Sequence, residues 1–239
     1  METIDPTMTL GALVNAHPEL AREFERRGLD YCCGGGRSLT DACAGRGLDP
    51  SAVAAELAEA TTGHDAGDWS AMNAADLVDH LEATHHRYLW DELPRLSALV
   101  AKIVSVHGDH HPELLAVASC YEAVRADLEP HLRKEERVLF PMIRELQGAT
   151  SLTEFHCGTL RNPIGVMLRE HDAVGDLLAR LRQLTGGYQP PADGCASYIA
   201  CFAALSELEA DTHLHIHKEN NLLFPLVVRL EAELSAVAG

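Results

Sequence analysis

His131-Leu132-Arg133-Lys134-Glu135-Glu136-Arg137-Val138-Leu139-Phe140-Pro141 recurs 84 residues later as His215-Ile216-His217-Lys218-Glu219-Asn220-Asn221-Leu222-Leu223-Phe224-Pro225. Both stretches read His-(Leu/Ile)-x-Lys-Glu-x3-Leu-Phe-Pro. Of the 14 histidines, only His131 and His215 have Glu four residues on. A further histidine precedes each copy at nearly the same interval. His86 lies 45 residues before His131, and His171 lies 44 residues before His215. The chain therefore reads as two related helix pairs. In a helix, residues four apart lie one turn apart on one face. His131 with Glu135, and His215 with Glu219, can thus both point into a bundle interior.

Outward from the repeat, the apolar pattern is helical nearly throughout, with Ala, Leu, Glu and Arg dominant and little strand-type alternation. The predicted fold is all-α. Four long runs are expected at about 73–106, 112–146, 162–186 and 195–234; Pro94 is a kink in the first, and the second carries Pro130 and Pro141. Asn162 reads as the cap of the third run and Pro163 as its first residue. A four-helix bundle over 72–239 follows. Residues 1–60 read as a separate small helical domain. Thr9, Pro18, Ser38 and Asp49-Pro50 open its helices, and Gly28 closes one of them. Residues 61–71 are polar and Gly-bearing and read as a linker.

The chain has 239 residues, of which 46% are hydrophobic, enough for a real core. Its 36 acidic residues outnumber its 19 basic ones, for a net charge of −17. Such a charge repels phosphate, so nucleic-acid binding is not expected. No apolar run approaches the roughly 18 residues of a membrane helix. The acidic start Met1-Glu2-Thr3-Ile4-Asp5-Pro6 lacks the apolar stretch of a secretory signal, so a cytoplasmic location is expected. The seven cysteines contain no CxxC pair, which argues against a zinc ribbon. In a reducing compartment a disulfide framework is not expected either.

A single His-x3-Glu is usually a surface ion pair. Two copies in shared context, each with a matched upstream histidine, point elsewhere. A buried carboxylate costs several kcal/mol unless paired or bound to a cation. Neutral imidazoles cannot offset Glu135 and Glu219, whereas metal ions can. Each carboxylate has two oxygens and can bridge two ions. His86, His131, His171 and His215 supply two imidazoles per ion, with room for an oxo or hydroxo bridge. Mixed imidazole and carboxylate ligands suit iron, manganese or zinc. The nitrogen-rich set favours non-haem di-iron. His85 is the alternative to His86, because adjacent helical residues point about 100° apart and only one faces the metals. His213 and His217 fall on other faces and read as solvated. His80, His107, His110 and His111 read as surface or helix-end groups, and His156-Cys157 as a loop pair. Leu139, Phe140, Leu223 and Phe224 read as core.

Residues 73–235 resemble a hemerythrin-like domain. The segment Asp30-Tyr31-Cys32-Cys33-Gly34-Gly35 resembles the signature of the small domain fused to it in the repair-of-iron-centres (RIC) di-iron proteins. The two together span nearly the whole chain. The resemblance implies a bacterial cytoplasmic protein that restores iron–sulfur clusters damaged by nitric oxide or oxidants. It implies two non-haem irons, oxo- or hydroxo-bridged, held by His86, His131, Glu135, His171, His215 and Glu219, with both glutamates bridging. Glu170, together with Asp127 one turn before His131, is implied to line a path to the metals. The implied partners are damaged iron–sulfur proteins, a small diatomic ligand (nitric oxide or oxygen) and an external reductant. Two features depart from the pattern. The segment 147–162 is long for a connection between the second and third helices, and Pro130 directly precedes His131. Cys32-Cys33 reads either as a flexible turn with two buried thiols or as a redox, metal or nitrosyl site. Oxygen or nitric-oxide carriage or sensing, and nitric-oxide reduction, remain alternative functions.

Overall fold

The computed structural model describes residues 3–61, 69–151 and 153–237. Among these residues there is no extended strand, only two isolated bridges, Thr9 with Ser38 and Phe155 with Gly158. The chain is all-α, as its periodicity predicts.

The N-terminal helices begin where short polar side chains satisfy open backbone N–H groups. Thr9 Oγ1 caps α1 (Leu10–Ala16) and Ser38 Oγ caps α3 (Leu39–Ala44). Asp49 caps α4 (Pro50–Ala60), with Pro50 at its first position. Gly28, at φ +63°, ends α2 (Leu20–Arg27) in the left-handed region that glycine adopts without strain. Pro18 opens a turn ahead of α2 rather than the helix itself, since Leu20 N–H bonds the His17 carbonyl. Of the predicted linker 61–71, residues 62–68 lie outside the described residues. Thr61 ends α4, and Trp69–Ala71 form a short 3-10 turn.

Of the four long runs, three are interrupted by a wide turn with i→i−5 hydrogen bonding, a π-turn. The first run is α5 (Ala74–Leu81), a π-turn over Glu82–His86, and α6 (Arg87–His107). The second is α7 (Glu113–Lys134), a π-turn over Glu135–Leu139, and α8 (Phe140–Gly148). The third, α9 (Arg161–Leu184), is unbroken and starts one residue before the predicted cap Asn162. The fourth is α10 (Ala196–Lys218), a π-turn over Glu219–Leu223, and α11 (Phe224–Val237).

The chain divides into two compact units. One comprises Met1–Val78, Ile143–Leu160 and His213–Gly239. Its core gathers Leu10, Leu13, Phe24, Leu39 and Leu57 around the N-terminal helices, and Ile216 of α10 joins the same cluster. The segment 147–160, with Leu152 outside the described residues, is tied down by Glu231 of α11. That carboxylate accepts the Leu160 N–H at 2.8 Å and the Thr159 hydroxyl at 2.5 Å. The other unit comprises Asp79–Met142 and Arg161–Thr212. There α7 packs against α6 and α9. Its core holds Leu93, Leu96, Val117, Tyr121, Leu178 and Leu205, all fully buried.

Candidate metal centre

The Leu-Phe-Pro tail explains two of the three π-turns. A proline inside a helix has no N–H to donate, and its ring clashes with the carbonyl four residues back. For Pro141 that carbonyl belongs to Arg137, and for Pro225 to Asn221. Both residues lie inside the π-turns. Widening the turn relieves the clash, and the N–H just before the proline reaches one residue further back. Phe140 N–H bonds the Glu135 carbonyl, and Phe224 N–H bonds the Glu219 carbonyl. Such turns are rare and concentrate at functional sites. Here both begin at the repeat glutamates.

In the Asp79–Met142/Arg161–Thr212 unit, His86, His131, Glu135 and His171 are each at most 2% exposed. His131 Nε2 lies 3.2 Å and His86 Nε2 3.5 Å from Glu135 Oε2. His171 Nε2 lies 3.2 Å from His131 Nε2. Among the described residues neither Glu135 oxygen accepts a hydrogen bond. The Nδ1 atoms face outward to carboxylates. His131 Nδ1 lies 2.9 Å from Glu170 Oε2, and His86 Nδ1 lies 3.0 Å from Glu136 Oε1. A carboxylate that accepts a hydrogen bond from Nδ1–H fixes the tautomer and turns the Nε2 lone pair inward. A cation accounts for this convergence of lone pairs and a buried carboxylate, so the residues fit a metal.

Glu170 is thus placed behind His131, where it also ion-pairs with Lys134 Nζ. The hydrogen bond from His131, reinforced by Lys134, holds the Glu170 carboxyl down to about 2. Glu136 also accepts the Trp90 indole N–H at 2.7 Å, and the Arg133 guanidinium stacks 5.1 Å from the Trp90 ring centre. Asp127 lines a groove between α7 and α9 with Asp176 and Arg180.

In the other unit, His215 and Glu219 repeat the pairing. His215 Nε2 lies 3.3 Å from Glu219 Oε1, and both side chains are at most 1% exposed. The two copies of the motif therefore share one local geometry, as their common spacing requires.

Two of the other histidines depart from the expectation. His85 is buried beside His86. His85 Nδ1 lies 2.8 Å from Asp211 Oδ1. His217, expected to be solvated, is fully buried. It hydrogen-bonds the Tyr31 carbonyl at 3.2 Å and the Asn15 side chain at 2.8 Å. Burial pulls its pKa down to about 4. His213 is half-buried, 3.9 Å from Glu25. Both expectations failed because the N-terminal helices cover this stretch of α10. His107 ends α6, where Nε2 lies 3.1 Å from Cys195 Sγ.

The Asp30–Gly35 loop rests on the π-turn at Glu219. Asn221 Nδ2 donates to the Cys32 carbonyl at 3.0 Å, and Asn220 Nδ2 reaches the same oxygen at 3.4 Å. Glycine is required at position 35, where a Cβ would fall 2.4 Å from Asn221 Oδ1. Sequence reasoning missed Glu136, Trp90, Asn220 and Asn221. One signal was present: within the repeat, Asn220-Asn221 replace Glu136-Arg137, so the two copies diverge directly after the shared Glu.

Paired His-x3-Glu helices backed by further buried histidines define a hemerythrin-type cation-binding helical bundle. The family model described as the hemerythrin HHE cation binding domain matches residues 76–227. A second, ScdA_N, described as a domain of unknown function, matches residues 6–61. The chain is 36% identical to the iron-sulfur cluster repair protein YtfE of Yersinia pseudotuberculosis serotype O:1b, over 93% of this chain and 97% of that protein. It is 34% identical to the protein of the same name from Enterobacter sp. (strain 638), over 90% and 94%. The chain belongs to the repair-of-iron-centres family, in which an ScdA_N domain precedes a hemerythrin HHE domain. The domain implies a cation site, and His/Glu clusters able to hold a metal are present. Among the described residues no helix is long and apolar enough to cross a membrane.

Proposed function

We propose that the chain is a cytoplasmic di-iron protein that repairs iron–sulfur clusters damaged by nitric oxide or oxidative stress. The observation that carries the metal reading is the buried Glu135 carboxylate, faced by imidazole Nε2 atoms and accepting no hydrogen bond among the described residues. Repair is the activity in the names of its relatives, which it matches over nearly its full length. His86, His131, Glu135, His171, His215 and Glu219 would hold the two irons. When bound, the iron pair supplies redox chemistry and exchangeable metal beside a small diatomic molecule.

The protein's own groups prepare that site. Glu170 and Glu136 hold protons at Nδ1 of His131 and His86, so that Nε2 stays a lone-pair donor. Lys134 balances the Glu170 charge at the rim. Phe140, with its ring 5.2 Å from that of His86, excludes water on that side. Cys32 and Cys33 take part from the loop seated at the Glu219 turn.

Elemental analysis after aerobic, iron-supplied expression tests the cofactor. Two irons per chain are expected, and one metal per chain or zinc alone overturns it. Repair is tested by adding the loaded protein and a reductant to a nitric-oxide-damaged iron–sulfur enzyme. Recovery of that enzyme's activity is expected. Reversible diatomic binding without recovery makes the chain a carrier or sensor, and nitrous oxide formation without recovery makes it a reductase.

A further inference from the structure

We propose that Asp30, Cys32 and Cys33 form a second cation site, distinct from the bundle ligands, that takes one borderline divalent ion of the Fe2+, Co2+ or Zn2+ kind. An Asp30 oxygen and the two sulfurs lie within 4.8 Å of one another. The sulfurs are 3.9 Å apart, and Cys32 Sγ is 3.3 Å from Asp30 Oδ1. An ion with metal–sulfur bonds of about 2.3 Å and a metal–oxygen bond of about 2.0 Å, at tetrahedral angles, sets these spans at about 3.8 and 3.5 Å. The two sulfurs thus already stand near the spacing that one tetrahedral ion imposes, and an Asp30 oxygen lies within 4.8 Å of both.

The loop is built to hold that spacing. Asp30 Oδ1 accepts the N–H groups of Cys32 at 3.1 Å and Cys33 at 3.0 Å, and Oδ2 accepts Gly34 N–H at 2.9 Å. Oδ1 spends both its lone pairs on these N–H groups, whereas Oδ2 spends one, so a small turn of the carboxylate that brings Oδ2 to the sulfurs supplies the oxygen donor. From the other side, Asn220 Nδ2 lies 4.0 Å from Cys33 Sγ, and Asn221 and His217 hold the carbonyls of Cys32 and Tyr31. The hydrogen bond with Cys33, together with burial, pushes the Cys32 thiol pKa well up, so without a cation the thiol keeps its proton.

Binding exchanges two S–H bonds for two S–metal bonds and releases both protons to solvent. The cluster's charge is unchanged: one carboxylate before, and one carboxylate with two thiolates and a dication after. Burial of Cys32 therefore does not oppose loading. Cys33 is half-buried and Asp30 exposed, so an ion enters from solvent and keeps a coordination position open. Asn220 is the residue after Glu219, which puts this open site on the turn that carries a bundle ligand. The site depends on its own three donors and not on the repair reading.

Cobalt(II) is the probe. It is titrated without oxygen into the full-length, iron-loaded protein with its thiols reduced. One cobalt per chain is expected beyond the bundle metal, with near-ultraviolet thiolate-to-cobalt absorption and the visible bands of tetrahedral cobalt. The double variant Cys32→Ser/Cys33→Ser loses this spectrum while keeping its iron and helical circular dichroism. Cys195→Ser keeps the spectrum. Asp30→Asn retains an acceptor for the backbone N–H groups and binds cobalt at least about tenfold more weakly. Absence of thiolate-to-cobalt absorption in the wild type, or its survival in the double variant, overturns the site. Unchanged affinity in Asp30→Asn removes Asp30 from it.

Discussion

Glu135 is fully buried, and among the described residues neither of its oxygens accepts a hydrogen bond. Without metal that arrangement opposes folding. Glu135→Leu replaces the charge with a good core side chain, so the iron-free protein gains about 1–4 kcal/mol. Iron bound per chain falls, and denaturant titration beside elemental analysis reads both effects. Glu170→Gln keeps an acceptor beside His131 but drops the charge that holds the Nδ1 proton. Iron affinity falls about 10–100-fold, as for other partners behind a metal-bound imidazole, measured by competition with a chelator. Cys195 is different in kind. It precedes α10, and its hydrogen bond with His107, helped by N–H groups of the first helical turn, brings its thiol down to about 7. Burial pushes Cys201 up to about 12. Iodoacetamide labelling of Cys195 therefore rises with pH through a midpoint near 7, while Cys201 stays unlabelled, as followed by mass spectrometry. A midpoint near the ordinary thiol value refutes the His107 contact. The spacing of the repeat marks Glu135 on its own. Glu136 behind His86 is not marked, because surface glutamates have the same sequence appearance, and Glu170 is reached only through the family resemblance.

At the scale of the helix, the prolines of the repeat do more than end a pattern. Pro141→Ala restores an N–H and removes the ring from the Arg137 carbonyl. The Glu135–Leu139 segment can then close as ordinary α-helix. The iron-free protein gains on the order of 1 kcal/mol. Iron retention falls because Glu135 turns away from His131 and His86. Unchanged iron content in a more stable variant refutes the coupling between π-turn and ligand geometry. The long helices were legible from their periodicity, and the caps Thr9, Ser38 and Asp49 were legible from residue type. The π-turns were not. The Glu82–His86 turn has no proline just after it, and its Thr84 hydroxyl donates to the His80 carbonyl in α5. His85 and His86 are both buried in that turn, with His86 near Glu135 and His85 bonded to Asp211.

For the molecule as a whole, the N-terminal helices and residues 213–239 belong to one unit. Ile216 lies in the N-terminal core cluster, and His217 bonds Tyr31 and Asn15. A fragment 72–239 therefore exposes apolar surface along the end of α10. It is expected to stay helical but to bind a hydrophobic dye and lose roughly 2–5 kcal/mol of stability, the scale of uncovering one or two large apolar side chains. A fragment as stable as the full chain, with no dye binding, refutes this. The sequence by itself determined the all-α class, because a 3.6-residue period needs no partner to be read. It also marked six candidate ligands, because a repeated spacing survives without coordinates, and the family through the resemblance of its motifs. Only the tertiary structure decided which histidines are covered, which carboxylates stand behind them, and where the Cys32-Cys33 loop is seated. Those outcomes depend on contacts between segments far apart in the chain, such as Asn221 with Cys32, and no local pattern encodes them.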